Sequence, residues 1–142
     1  MTTEVLNKNG ELTIEANMDC LDEMMAFVDG RLEENGCLPK IQMQIDVAVE
    51  EIFVNIANYA YSPDTGPATV RLDIRDGIAV ITFIDSGVPY DPLAKPDPDV
   101  TLSAEDRPIG GLGIFLVKKS MDSVSYNYES GKNVLRLKKR IK

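Results

Sequence analysis

The spacing of apolar and polar residues along the chain predicts a mixture of strands and helices. Strand-like patterns, most clearly an alternation of polar and apolar residues, occupy five segments. These segments are residues 11–16, 68–75, 78–84, 123–128 and 133–139. Helical periodicity occupies residues 19–35, 39–61 and 111–121. We expect Asp19 to cap the first helix and Pro39 to lie in the first turn of the second.

Two connecting segments complete the predicted fold. Asp76-Gly77 predicts a tight hairpin, because a type I′ turn needs positive φ at both central residues. Residues 88–109 look irregular, contain five of the eight prolines and are expected to form a mobile lid. The element order predicts one α+β domain over residues 1–142, a two-layer α/β sandwich with a mixed, mostly antiparallel sheet and helices on one face.

Composition narrows the possible chemistry. The 142 residues include no histidine, which excludes a Ser-His-Asp triad, a histidine-ligated zinc and a phosphohistidine relay within this chain. The net charge of −8 argues against a nucleic-acid partner. No apolar run is long enough to span a membrane, no signal-peptide pattern is visible and there are only two cysteines. We therefore expect a cytoplasmic protein without a membrane partner.

The second predicted helix carries a carboxylate and an amide on one face. Glu51 and Asn55 are four residues apart, so their side chains stack on the same side, and Asn58 follows one turn later. Glu51 could accept a proton from an attacking hydroxyl, and the oxygen of Asn55 could join phosphate oxygens around Mg²⁺. The pair could also simply solvate the outer face of the helix. Asp46 and Glu50 have the same spacing, which leaves the choice of base open.

An acidic residue follows the predicted strand at 78–84. The Asp85 carboxylate could accept a hydrogen bond from the exocyclic amine of adenine, and Gly87 would let the backbone approach the ring closely. The alternative interpretation is a plain Asp-Ser-Gly turn, which is common in loops.

Glycines precede the third predicted helix. Gly110, Gly111 and Gly113, with Leu112 between them, would leave backbone N–H groups bare at a helix entrance, where the helix dipole favours phosphate. Arg107 lies just before them and could reach a γ-phosphate. The alternative for the glycine cluster is a hinge for the preceding loop.

The order of these segments resembles that of the Bergerat-fold ATPases, which include gyrase B subunits, the catalytic domains of histidine kinases and a heat-shock chaperone. The resemblance is carried by EIFVN at 51–55, DSGVPYDP at 85–92 and GGLGI at 110–114. Over residues 10–140 the short chain is similar to the anti-sigma-factor serine/threonine kinases of bacteria. It departs from their pattern at Tyr59-Ala60-Tyr61, where many of these kinases have His-Gly-Tyr.

The resemblance implies an ATP- and Mg²⁺-dependent protein kinase that phosphorylates a small antagonist protein, sequesters a sigma factor, or does both. It implies Glu51 as the base, Asn55 as the magnesium ligand, Asp85 as the residue that reads adenine, and 110–113 as the segment that wraps the phosphates. It also implies a homodimer. The same segments are compatible with a non-catalytic switch that binds ATP and a partner protein, and with a structural domain whose acids and glycines are coincidental.

Overall fold

The computed structural model describes residues 5–7, 10–94 and 112–142, which form six strands and three α-helices. In chain order these are β1 (Val5–Asn7), β2 (Glu11–Glu15), α1 (Leu21–Glu34), α2 (Pro39–Asn55), β3 (Pro67–Arg75), β4 (Ile78–Asp85), α3 (Leu112–Ser120), β5 (Ser123–Glu129) and β6 (Lys132–Arg140). Short 3₁₀ helices at Met18–Cys20 and Pro92–Ala94 precede α1 and follow β4. Helix α2 continues as a π-helical turn over Ile56–Ala60.

The strands form a sheet in the order β1-β2-β3-β4-β6-β5, and each neighbouring pair in this order is antiparallel. The hairpin predicted at Asp76-Gly77 is confirmed, because both residues have positive φ, 56° and 76°. Ser130 and Gly131 connect β5 to β6 in the same way, with φ of 53° and 77°.

The helices cover one face of the sheet, which confirms the predicted two-layer α+β architecture. Alternate residues of the central strands face the helices and are fully buried, as Val70, Ile81 and Leu137 are. Helix α1 contacts β2 and β3, α2 packs against both α1 and α3, and α3 contacts β5. Met24 of α1 and Phe53 of α2 are buried in the same core. The core therefore fixes the position of α2 and the residues it carries.

The structure differs from the prediction at the start of the first helix and in having one more strand. Asp19 does not cap α1 but lies within the 3₁₀ helix Met18–Cys20. The helical turn begins earlier because the side chain of Asn17 accepts a hydrogen bond from the backbone N–H of Cys20 at 3.1 Å. Strand β1 is missing from the prediction, since three residues are too few to form an alternating pattern. Residues 95–109 of the predicted lid lie outside the described residues.

Candidate functional site

A cavity of about 580 Å³ lies between α2, the end of β4 and the first turn of α3. Its polar lining includes Glu51, Asn55, Asp85 and Gly113, which come from three separate segments of the sequence. Its apolar lining includes Ile52, Ile56, Phe83, Ile114 and Leu135. A concave site of this size, with a few polar groups among apolar side chains, is typical of a pocket for a small-molecule ligand.

Glu51 and Asn55 lie on the side of α2 that faces the cavity. Of the three acids considered as bases, only Glu51 is among the described residues that line the cavity, whereas Glu50 is exposed and Asp46 is partly buried elsewhere. In the described part of the chain, neither the Glu51 carboxylate nor the Asn55 amide makes a hydrogen bond with another protein group. Both side chains can therefore interact with a ligand.

Gly113 is in contact with the Glu51 carboxylate. A Cβ added to Gly113 would lie 2.3 Å from Oε2 of Glu51, which is closer than non-bonded atoms approach. Gly113 belongs to the first turn of α3, where backbone N–H groups lack helical partners and the helix dipole favours negative charge. The absence of a side chain at this glycine lets an acid of α2 approach the start of α3.

Asp85 is the last residue of β4 and is buried, with 7% of its surface exposed. Its Oδ1 accepts hydrogen bonds from the backbone N–H of Gly87 and from the side chain of Asn133, each at 2.9 Å. A Cβ added to Gly87 would lie 2.2 Å from the carbonyl oxygen of Ala60, which itself accepts a hydrogen bond from Val88. Glycine is required at position 87 because two backbone segments meet there.

Tyr61 connects the turn after β4 to the start of β3. Its hydroxyl donates to the carbonyl of Pro67 at 2.6 Å and accepts from the backbone N–H of Ser86 at 2.8 Å. Burial raises the pKa of the Tyr61 phenol, which favours the neutral form that donates this bond. In the same triplet, Ala60 is buried and Tyr59 is exposed at the cavity. Tyr59 and Ala60, the two positions at which this chain differs from the His-Gly-Tyr pattern, therefore both line the cavity.

Two polar side chains of the cavity wall, which are hydrogen-bonded to the same network as Asp85, are not among the predicted site residues. Asn133 and Tyr126 both line the cavity, and they are hydrogen-bonded to each other. Each lies in a strand of ordinary composition, so no local motif marks it. The signal that could have identified Asn133 is the strand register, which pairs it directly with Asp85.

Several of the predicted site residues are not brought to the cavity or are not described. Gly87 lies against the backbone of Ala60 and is not among the described residues of the lining. Asn58 is exposed and is not among the described residues of the lining. Because α2 widens into a π-helical turn after Asn55, a step of three residues no longer returns to the same face. Three predicted phosphate-side residues lie outside the described residues. They are Arg107, Gly110 and Gly111. Leu112 is the first residue of α3.

In the described segments, no group of three or more Cys, Asp or Glu side chains could hold a metal ion. A cation at Asn55 would therefore need most of its oxygen ligands from a bound phosphate and from water, as Mg²⁺ prefers. None of the helices in the same segments is long and apolar enough to cross a membrane.

Curated relatives include two kinases. Serine-protein kinase RsbW of Bacillus cereus is 30% identical over 96 residues, which cover 65% of this chain and 60% of the relative. Serine/threonine-protein kinase BtrW of Bordetella bronchiseptica is 28% identical over 100 residues, which cover 69% of this chain and 70% of the relative. This chain thus spans about 60% of the length of the RsbW proteins it matches.

A solved structure has the same fold. The crystal structure of the RsbU and RsbW domains of a Mycobacterium tuberculosis protein matches 92% of this chain and 32% of that chain, with a TM-score of 0.61 and 17% sequence identity. The family of histidine kinase-like ATPase domains matches residues 14–139, a range that contains all three segments singled out in the sequence. The resemblance noted in the sequence is therefore confirmed, and this chain belongs to the histidine kinase-like ATPase domain family.

Proposed function

We propose that this chain is an ATP-binding regulatory serine/threonine protein kinase, which phosphorylates a small antagonist protein, sequesters a sigma factor, or does both. The observation that carries this proposal is the single cavity that gathers Glu51, Asn55, Asp85 and Gly113. These are described members of the three segments that resemble those of anti-sigma-factor kinases. The kinase names of the relatives support the same activity.

In this proposal the nucleotide binds with adenine at Asp85 and with its phosphates toward Glu51 and Gly113. A carboxylate oxygen of Asp85 accepts a hydrogen bond from the exocyclic amine of adenine. The apolar side chains of Ile56 and Phe83 contact the base within the same cavity. The bare N–H groups in the first turn of α3 favour the phosphates.

The proposed transfer moves the γ-phosphoryl group from ATP to a serine or threonine of the partner. The partner hydroxyl forms a bond to the γ-phosphorus, the bond from phosphorus to the bridging oxygen breaks, and ADP leaves. Glu51 accepts the hydroxyl proton. Asn55 would contribute one oxygen ligand to Mg²⁺, which supplies positive charge to the phosphates when bound. The contact of Glu51 with Gly113 supports this assignment, because it keeps the base near the turn that favours phosphate.

The proposed partners, a sigma factor and a small antagonist protein, follow from the family resemblance, as does the homodimer. The proposed cytoplasmic location follows from the composition of the sequence. The single domain over residues 1–142 and the lid at 88–109 stay predictions.

Replacement of Glu51 by glutamine tests the kinase assignment. Glu51→Gln keeps the size of the side chain and removes the base, so transfer of the γ-phosphate should fall by about 10²- to 10⁴-fold while ATP binding persists. Glu50→Gln is the matched control, because Glu50 is adjacent in sequence but exposed away from the cavity. The assay incubates the protein with γ-labelled ATP and a lysate of its source organism. ATP binding is measured as the rise in melting temperature with Mg-ATP.

Three outcomes distinguish the candidate functions. Label on a small protein that is lost with Glu51→Gln but kept with Glu50→Gln supports the kinase. Partner capture that needs ATP but leaves no label would instead indicate a non-catalytic switch. A melting temperature that does not respond to Mg-ATP would overturn the nucleotide site itself.

A further inference from the structure

Asn133 lies buried beside Asp85, where strands β4 and β6 pair. The two residues are direct partners in the antiparallel register, so their side chains emerge on the same face of the sheet. Asn133 has 6% of its surface exposed and also lines the cavity. The transfer chemistry proposed above gives it no task. A buried amide in a cavity wall needs partners for its polar atoms, and those partners indicate what it does.

All four hydrogen-bonding positions of the Asn133 side chain are filled. Its Nδ2 donates to Oδ1 of Asp85 and to the backbone carbonyl of Val88, each at 2.9 Å. Its Oδ1 accepts from the backbone N–H of Tyr90 at 3.1 Å and from the hydroxyl of Tyr126. An asparagine side chain has two donor hydrogens and two acceptor lone pairs, so none remains for a ligand.

The surrounding backbone fixes the orientation of the Asn133 amide. The carbonyl of Val88 can only accept a hydrogen bond, and the N–H of Tyr90 can only donate one. Exchanging the oxygen and nitrogen of the amide would break both bonds, so only one orientation satisfies the site. That orientation directs the amide nitrogen, a donor, toward the Asp85 carboxylate.

The two oxygens of the Asp85 carboxylate are therefore not equivalent. Oδ1 accepts from Asn133 and from the backbone N–H of Gly87. Oδ2 makes no hydrogen bond within the described residues. Because Asp85 lines the cavity, Oδ2 is the oxygen that can interact with a ligand.

We propose that Asn133 is a positioning residue for recognition of the nucleobase. It holds Oδ1 of Asp85, so that Oδ2 presents an acceptor to the exocyclic amine of adenine and repels a base that carries an oxygen at the same place. This inference rests on the proposed ATP site. Asn133 acts through Asp85 and does not touch the nucleotide, and the hydroxyl of Tyr126 supports it by occupying the acceptor side of the amide.

A matched pair of substitutions separates the hydrogen bond from the shape of the side chain. Valine and threonine have nearly the same volume and both suit a strand, but only threonine retains a donor for Asp85. Titration calorimetry gives the dissociation constants of ATP and of ITP, whose base has an oxygen in place of the exocyclic amine, for wild type, Asn133→Val and Asn133→Thr. The readout is the ratio of the two constants, because lost packing alone would weaken both nucleotides equally.

Wild type should bind ATP more tightly than ITP. This preference should fall by about tenfold in Asn133→Val, the equivalent of one strong hydrogen bond, and should be partly restored in Asn133→Thr. An unchanged preference in Asn133→Val overturns the inference while ATP binding remains. If wild type binds neither nucleotide, the proposed function and the inference that rests on it both fail.

Tyr126→Phe keeps the inference testable if Asn133→Val does not fold. This change deletes one hydroxyl and keeps the ring, so the ATP preference should fall by about two- to fivefold. An unchanged preference in Tyr126→Phe counts against the inference.

Discussion

The two ends of the cavity differ in how firmly the protein itself holds their polar groups. At the end proposed above to bind adenine, called the adenine end below, hydrogen bonds from Gly87 and Asn133 fix one oxygen of the Asp85 carboxylate. At the end proposed to bind the phosphates, called the phosphate end below, the side chains of Glu51 and Asn55 make no hydrogen bond within the described residues. The adenine end is thus assembled by the protein alone, whereas the polar groups of the phosphate end are left for ligands.

This difference indicates separate tasks for the two ends. A fixed acceptor discriminates between bases, because the wrong base leaves a buried polar group unpaired. Polar groups without protein partners can instead interact with phosphates, a cation and a hydroxyl whose charges change during transfer. We therefore expect substitutions at the adenine end to reduce affinity and stability together. Substitutions at the phosphate end should reduce transfer with little loss of stability.

The largest effect is expected from Gly87→Ala, at the adenine end. The new Cβ would lie 2.2 Å from the carbonyl oxygen of Ala60, a backbone atom that cannot rotate away. The turn after β4 must then shift and withdraw an N–H from Asp85. We expect the free energy of unfolding in urea to fall by about 3 kcal/mol and ATP binding to become unmeasurable by calorimetry.

Gly30→Ala is the control for this substitution. Gly30 lies within α1, and a Cβ added there would meet no described atom within 4 Å apart from its own helix backbone and chain neighbours. The change should stabilise the protein by about 0.5–1 kcal/mol, as alanine does in a helix, and should leave ATP binding unchanged. Wild-type affinity for ATP in Gly87→Ala would contradict the claim that the adenine end is held rigidly.

Gly113→Ala should produce a smaller and different effect at the phosphate end. The new Cβ would lie 2.3 Å from Oε2 of Glu51, but the end of a long side chain can rotate away. The melting temperature should therefore stay close to that of wild type, because alanine also favours the helix. The rate of phosphate transfer should fall by about 10²-fold, since the displaced carboxylate no longer meets the attacking hydroxyl.

A double-mutant cycle shows whether Gly113 acts through Glu51. In a Glu51→Ala background, Gly113→Ala should cause no further loss of transfer, because the side chain that it displaces is already absent. An equal loss in both backgrounds would mean that the glycine acts by letting the backbone approach phosphate. In that case the phosphate end would be as rigid as the adenine end.

Features that depend on neighbouring residues could be predicted from the sequence, whereas features that depend on strand pairing or helix geometry could not. The Asp76-Gly77 turn belongs to the first kind, because positive φ at two adjacent residues is a property of those residues. Asn133 belongs to the second kind: it is 48 residues from Asp85, and only the register of β4 and β6 makes them neighbours. Asn58 also belongs to the second kind. Its position one turn after Asn55 predicts a place in the site, but the sequence does not reveal that the helix widens into a π turn there.

A substitution in α2 away from the cavity can show whether the difference between the two ends of the cavity is independent of how α2 packs on α1. The carboxyl groups of Asp29 and Asp46 meet where α1 packs on α2, and one oxygen of each is buried without a hydrogen-bond partner among the described residues. Burial, then the neighbouring Asp29 carboxyl and the charges of Glu33 and Glu50, raise the pKa of Asp46 from 3.8 to about 7.

The raised pKa of Asp46 predicts the smallest effect on the cavity, together with a loss of stability with rising pH. The folded protein retains a proton on Asp46 that the unfolded chain releases near pH 3.8. The stabilisation of the folded state by this proton is therefore complete below pH 3.8 and is lost as the pH rises to about 7. Urea denaturation between about pH 5 and about pH 8 measures this loss. The free energy of unfolding of Asp46→Asn should depend less on pH than that of wild type, whereas that of the exposed control Asp73→Asn should have the wild-type pH dependence.

The affinities of Asp46→Asn for ATP and ITP should stay unchanged, because Asp46 is not among the described residues that line the cavity. A change in either affinity would mean that both ends respond to the packing of α2 as a whole, and the distinction between them would fail.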